Sequence, residues 1–574
     1  MTASAATGSS GRLARLLPIV SWLPAYDRSW LRGDIAAGVA VTALIVPKNL
    51  GYAGIAGVPL ENGLYAAAAG ALVYALFCTS RHISTGPSSS LAAVAGGAVL
   101  ATGVGGKDAA GLVAAITLVT GALFLILAVF KMGWIAQFLS KAVVTGFLAG
   151  AAIDVTIGEL SKLTGTDSSG DSAWRELWTW FQGLDAIHWP TVVVGVVSLA
   201  VIFGLRFTLP AVPGALVLVA GGLVASGLFD LGGHGVALVG HVPRGLPSPE
   251  LPHWELVRTH LSTIGIASFA LLLIGFSQTA GDARAFATRH RYRIDVNQES
   301  VAEGMANVTA GAFQGMPVST SLSASSLNES AGARTPLASL VTGGLVLATL
   351  VVLAPLFSHL PKAVLAAVII DAVLFGMIDV AELRRLRLVS RVDFWISVAA
   401  IVGVLSAGVL TGVAVGVALS LGWLVYVATT PGMPELGREP GTDVYRELDE
   451  YPDGETVPGL VVVRLDSGLF FATAEALDAR IREVIAETDP PVRSIVLNLE
   501  GVDFVDSQGA AKLTELHEVA ARDGVVLRLA RVKPQVLDVL ELDGVADTFG
   551  PDKIHLTLHQ AVATQLAVPE GAHA

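Results

Sequence analysis

Eleven mostly apolar runs, each near the length that crosses a bilayer, recur along this chain: residues 35–54, 60–79, 109–130, 140–158, 190–206, 211–229, 260–281, 335–355, 361–378, 392–406 and 408–429. A spanning helix needs about 20 apolar residues, and only a helix satisfies its own backbone where no water is present. Three further segments, 85–103, 296–313 and 317–331, are Gly/Ser/Thr-rich and too broken to face lipid, so they are expected to cross inside the protein and bring the total to 14. Only 15% of the 574 residues are charged and the mean hydropathy is +0.65. A soluble domain carries about a quarter charged residues, which excludes that class here.

Charge sets the expected orientation. With an even number of spans, both termini lie on one side. That side receives Arg12, Arg15, Arg28, Arg32, Arg81, Lys131, Lys141, Arg206, Arg284, Arg289, Arg291, Arg293, Arg334, Arg384, Arg385, Arg387 and Arg391. The opposite loops hold Lys107, Lys162, Arg175, Arg244 and Arg258 among acids. The positive-inside rule therefore predicts cytoplasmic termini in a plasma or inner membrane. Residues 1–32 lack the apolar core of a signal peptide, and Trp22 and Trp30 among arginines read as an interfacial segment.

The net charge of −12 belongs to the end of the chain: residues 431–574 hold 26 acids and 12 bases. There the pattern changes to strands at 460–465, 494–499 and 525–530 alternating with helices at 473–488, 508–522, 533–542 and 557–567, a small α/β domain over 459–567. Residues 431–458 read as a linker with room for an edge strand, after a membrane domain over 33–430. A lone cysteine, Cys78, excludes a disulfide framework, and the scattered histidines offer no metal spacing. No phosphate loop, cofactor motif or nucleophile–base set is visible, and neither an enzyme nor a nucleic-acid partner is expected.

Two broken segments share one chemistry. Ser84-Thr85-Gly86-Pro87-Ser88-Ser89-Ser90 and Pro317-Val318-Ser319-Thr320-Ser321-Leu322-Ser323 each place hydroxyls and a proline where a short helix would begin in mid-membrane. The free N–H groups and positive dipole end of such a start attract anions. One in each half of a 14-span chain fits a midplane site between inverted repeats.

Val46-Pro47-Lys48-Asn49-Leu50-Gly51-Tyr52-Ala53, then Gly63-Leu64-Tyr65-Ala66, Thr79 to Pro87, Tyr292 to Glu299 and Ala331 to Ala338 occur in an order that resembles the sulfate permease (SulP) anion transporters, over roughly residues 30–565. Val502-Asp503-Phe504-Val505-Asp506-Ser507-Gln508-Gly509 resembles the loop of STAS domains. The resemblance implies two inverted seven-span repeats forming core and gate domains, elevator motion, a homodimer, and a small inorganic anion held between spans 3 and 10. It implies as binding residues Lys48, Tyr52, Thr85, Gly86, Ser88, Ser89, Gln278, Ser319, Thr320 and Ser321. Related STAS loops carry a phosphorylatable residue where this chain has Gln508, so Asp506 or Ser507 reads better as a helix cap before Gly509.

Three departures bear on mechanism: Lys48 replaces a usual Gln, Gln278 a usual Glu, and Ala324 a frequent Arg. Lys48 is then the expected positive charge, with Asp282 as its counter-charge or as a proton carrier. Asp154 and Asp371, in symmetry-related spans 5 and 12, are further coupling candidates, equally suited to structural hydrogen bonds. Glu299 and Glu303 are expected to pair with the neighbouring arginines. Proton-coupled sulfate transport leads; sodium-coupled bicarbonate transport, dicarboxylate transport and an uncoupled channel or exchanger are the alternatives.

Overall fold

The computed structural model describes residues 17–131, 140–167, 170, 172–209, 212–240, 242, 245–488 and 491–566. Arg12, Arg15 and Arg244, counted above toward the charge bias, lie outside the described residues. The chain divides at Ser420/Leu421 into two compact units.

The first unit is helical: α1 (Leu31–Ile55), α2 (Leu60–Phe77), α3 (Ser89–Thr102), α4 (Gly106–Val129), α5 (Lys141–Thr164), α6 (Trp189–Thr208), α7 (Gly214–Leu228), α8 (Leu261–His290), α9 (Val296–Ala312), α10 (Leu322–Ser330), α11 (Leu337–Val352), α12 (Lys362–Met377), α13 (Arg391–Ala407) and the first half of α14 (Val409–Thr429), which runs across the division. These are the fourteen expected segments. Among the described residues, eight helices are long and apolar enough to cross a membrane unaided, while α3, α7 and α11 are shorter apolar helices. Outward-facing Val193, Val196, Val197 and Phe207 on α6, and Trp423 and Leu424 on α14, suit a hydrocarbon solvent. Between α5 and α6 the short helix Ala173–Gln182 exposes Trp174, Trp178 and Phe181, as a helix lying in the headgroup layer does.

Packing sorts the helices into two groups, α1–α4 with α8–α11 and α5–α7 with α12–α14. Contacts recur when each helix number is advanced by seven. Thus α4 packs on α9 as α11 packs on α2, α3 on α8 as α10 on α1, and α5 on α13 as α12 on α6. Two seven-helix repeats leave that pattern. Small residues permit the close approach. At Gly63 an added Cβ would lie 2.1 Å from the Asn49 carbonyl oxygen, and at Gly70 one would lie 3.0 Å from that of Thr85. The groups meet where Gly51 and Gly54 of α1 face Ile369 of α12.

Two short strands interrupt the helices before α3 and α10: β1 (Thr85–Gly86) and β2 (Ser319–Thr320). They pair with each other, antiparallel, although more than 200 residues separate them.

The second unit holds β3 (Leu436–Arg438), β4 (Tyr445–Glu447), β5 (Leu460–Arg464), α15 (Ala474–Glu487), β6 (Ser494–Asn498), α16 (Ser507–Arg522), β7 (Val526–Ala530), α17 (Pro534–Leu542), α18 (Val545–Phe549), β8 (Ile554–His555) and α19 (Leu558–Leu566). The parallel sheet runs β5-β6-β7-β8. Alternate strand residues feed two cores: Val461, Val463, Ile495 and Leu527 pack under α15 and α16, while Leu460, Val462 and Val496 meet α19. Residues 431–458 depart from a plain linker: β3 and β4 form a hairpin, and Glu435 bridges to Val463. Leu436 supplies the reason, because it is buried in the second core.

Candidate functional site

The crossing of β1 and β2 brings the two broken segments face to face. Thr85 lies opposite Thr320 and Gly86 opposite Ser319. The Ser321 N–H donates to the Ser84 carbonyl at 3.0 Å, and the Ser84 N–H to Ser325 Oγ at 2.9 Å. Both helices then start in the same way. Ser88 Oγ accepts from Leu91 N at 3.4 Å and sits 3.0 Å from Ser90 Oγ; Ser321 Oγ accepts from Ala324 N at 3.4 Å and sits 3.3 Å from Ser323 Oγ. Each cap satisfies one N–H of its first turn, where the N–H groups have no partner within the helix.

A cavity of about 20 Å³ lies here, lined by Lys48, Asn49 and Tyr52 of α1, Ser84 to Pro87, and Ser321, Ser323 and Ala324. That volume holds about one water, so a larger ion requires the walls to part. The lining is rich in unspent donors. Asn49 Nδ2 and Thr85 Oγ1 are buried without a hydrogen-bond partner. The charged groups whose fields reach the Lys48 ammonium are Asp371 and Arg206. An unsatisfied buried polar group costs about 1–3 kcal/mol, which an anion accepting from these donors would recover.

Lys48, Tyr52, Thr85, Gly86 and Ser321 therefore come together. Ser88 caps α3, and Ser89 faces the Tyr52 hydroxyl. Gln278 Nε2 donates to Ser90 Oγ at 3.0 Å, tying α8 to the first turn of α3, and leaves its own Oε1 unpartnered. Ser319 and Thr320 turn their hydroxyls toward α8 instead of the cavity: Ser319 Oγ donates to the Gly275 carbonyl at 3.3 Å and Thr320 Oγ1 to Asp282 Oδ2 at 2.8 Å. Asn49, Ser84 and Ser323 line the cavity beside the expected residues. Their signal was present: an amide inside an apolar run, and hydroxyls two residues apart at both helix starts.

The carboxylates are placed differently from expectation. Asp282 is tied to β2, and neither Arg284 nor Arg289 pairs with it; Arg289 meets Glu329 at 2.8 Å. The charge of Asp371 reaches Lys48, while Asp282 is bonded to Thr320. Asp371 is already held by Arg206, with Nε–Oδ1 at 2.6 Å and Nη2–Oδ2 at 2.8 Å, and the guanidinium lies 4.3 Å from the Phe375 ring centroid. Asp154 is half-buried on α5, away from the cavity lining. The expected pairing of Glu299 and Glu303 with arginines does not occur. Glu299 accepts from Tyr74 Oη, from Thr79 N at 2.8 Å and Oγ1 at 2.5 Å, and from Ser80 N and Oγ, both at 2.9 Å. Its position on α9 faces the chain leaving α2, where backbone donors are free, while the arginines lie beyond the helix start. Glu303 accepts from Thr279 and Asn307.

Outside the spans, His82 precedes β1 and stacks on His290 with centroids 4.2 Å apart. Burial, then the neighbouring His290, pushes its imidazole down to about 4. In the second unit Asp506 caps α16, with Oδ1 accepting from Gly509 N at 2.8 Å and Oδ2 from Phe471 N at 3.0 Å. A Cβ at Gly509 would lie 2.3 Å from the Leu469 carbonyl oxygen, which explains the glycine. Ser507 and Gln508 are exposed.

The sulfate permease family model matches residues 31–401, and the STAS domain model matches residues 451–561. A "Probable sulfate transporter" of Mycobacterium tuberculosis (strain CDC 1551 / Oshkosh) is 35% identical over 539 residues, covering 94% of this chain and 96% of its own. The "High affinity sulfate transporter 2" of Stylosanthes hamata is 29% identical, over 96% of this chain and 86% of its own. Among solved structures, the murine Solute Carrier 26 family member A9 anion transporter in the inward-facing state superposes with a TM-score of 0.86 at 23% identity, covering 99% of this chain and 96% of that one. The last likeness shows the shared fold.

Proposed function

The chain belongs to the sulfate permease family of membrane-spanning anion transporters, and from that premise we propose that it carries a small oxyanion, sulfate first, by secondary active transport coupled to protons. The observation that carries this reading is the β1–β2 crossing, which aims two capped helix starts into one cavity beside Lys48. Sulfate accepts hydrogen bonds in every direction, and the donors here converge from α1, α3 and α10. Lys48 supplies charge attraction, while Thr85, Asn49 and the free N–H groups of both helix starts supply direction. Tyr52, Ser89 and Gln278 position the α3 start.

Every residue lining the cavity belongs to the group α1–α4 with α8–α11. Movement of that group against the other would carry the anion with it, which supports an elevator cycle over a fixed pore. A homodimer in the cell membrane, with cytoplasmic termini, completes the proposal.

The test is labelled sulfate uptake into proteoliposomes holding the full chain. An inward proton gradient without sodium should drive accumulation above equilibrium. Accumulation driven by sodium alone would replace the proton reading with a sodium-coupled one. The oxygens that favour this second reading are those of Asp282 and Thr320, 2.8 Å apart. Flux that ignores both gradients and follows voltage would make the protein a channel.

A further inference from the structure

We infer that Glu303 of α9 is a proton-binding site wired to the anion cavity. The inference rests on reading that cavity as the anion site, and it replaces Asp282, Asp154 and Asp371 as the foremost proton carrier.

Glu303 is 0% exposed. Its carboxylate has two side-chain donors, both distant: Thr279 Oγ1 at 3.3 Å and Asn307 Nδ2 at 3.4 Å. The Asn307 amide is already spent, donating at 3.0 Å to the Glu303 and Val318 carbonyls. The charged side chain whose field reaches Glu303 is Glu299, of its own sign. One turn away, Glu299 is surrounded by five donor groups, so the two acids of the same helix face have opposite surroundings. An uncompensated carboxylate away from water is costly, whereas the neutral acid can donate its proton to a hydroxyl.

The groups facing Glu303 are these. Helix α8 presents Thr279; α2 presents Tyr74, which is bonded to Glu299; α4 packs here through Gly121 and Leu125, neither of which titrates; β2 presents Ser319. Thr279 Oγ1 lies 3.5 Å from Ser319 Oγ, and Ser319 is the strand partner of Gly86 in the cavity wall. A proton on Glu303 thus communicates with the anion site through two hydroxyls and one strand pair.

Infrared spectroscopy of the purified full chain tests this directly. At neutral pH the wild type should show the C=O stretch of a protonated carboxyl that E303Q removes and D282N retains; a band untouched by E303Q would overturn the inference. In proteoliposomes E303Q should keep the sulfate KM but lose the stimulation by an inward proton gradient, and E303D should shift the pH profile of uptake. A uniform loss of rate with an unmoved pH profile in both variants would mark Glu303 as structural and overturn the inference. If E303Q removes the band while wild-type uptake ignores the proton gradient, the proton site stands and the coupling proposed above falls.

Discussion

Single side chains divide into those that line the proposed anion site and those that hold the scaffold. Lys48→Gln removes the one charge in the cavity lining and should raise the KM for sulfate about tenfold or more, the equivalent of at least about 1.4 kcal/mol, while leaving thermal stability near wild type. Asp371→Asn has the opposite signature. It strands the Arg206 guanidinium and should lower stability by about 2–3 kcal/mol, below the fully buried range because Arg206 is partly exposed. Replacing both partners, Arg206→Met with Asp371→Leu, should recover most of that loss in a thermal melt. His82 gives a pH signature: a folded-state imidazole near 4 against an ordinary value near 6.5 means stability falls as pH drops through that window. His82→Gln should flatten that fall by up to about 3 kcal/mol between pH 6.5 and 4.

At this scale the sequence made residue types legible but not their partners. Lys48, Thr85 and Ser321 were readable as donors because each interrupts an apolar or helical pattern. The partners of Glu299 were not, since backbone N–H groups of Thr79 and Ser80 leave no trace in residue type. Ser319 and Thr320 belong to the right segment, yet acceptors on α8, the Gly275 carbonyl and the Asp282 carboxylate, take up both of their hydroxyls, and residue type does not show which helix packs there.

Elements were largely legible from periodicity and length. Apolar runs marked the long spans, and the strand–helix alternation after residue 459 marked β5, β6, β7 and the helices between them. The two-residue strand β8 and the five-residue helix α18 were too short to carry a period. The β1–β2 pairing was invisible for another reason: register between segments so far apart is set by packing, not by local pattern. Gly70 is the hinge of that packing, since α2 presses there against the Thr85 carbonyl. Gly70→Val should displace β1, abolish sulfate binding in a radioligand assay, and leave the second unit's stability unchanged. Tolerance of valine with normal binding would show that β1 is not positioned by α2.

For the whole molecule, the seven-helix offset in the contacts explains why two distant Ser-rich segments meet: each repeat contributes one helix start, and the proposed anion site needs both. The cavity lies within one of the two helical groups, and the Arg206–Asp371 pair lies within the other. In the second unit the Asp506–Gly509 loop is spent on capping α16 and on close packing against Leu469. On the proposed function, the paired helix starts and Lys48 together bind the anion. Equilibrium binding of labelled sulfate to the purified full chain, wild type beside Lys48→Gln, tests it most directly. Saturable binding that weakens about tenfold or more in Lys48→Gln is predicted. Equal affinity in the two proteins would mean that Lys48 takes no part in binding the anion.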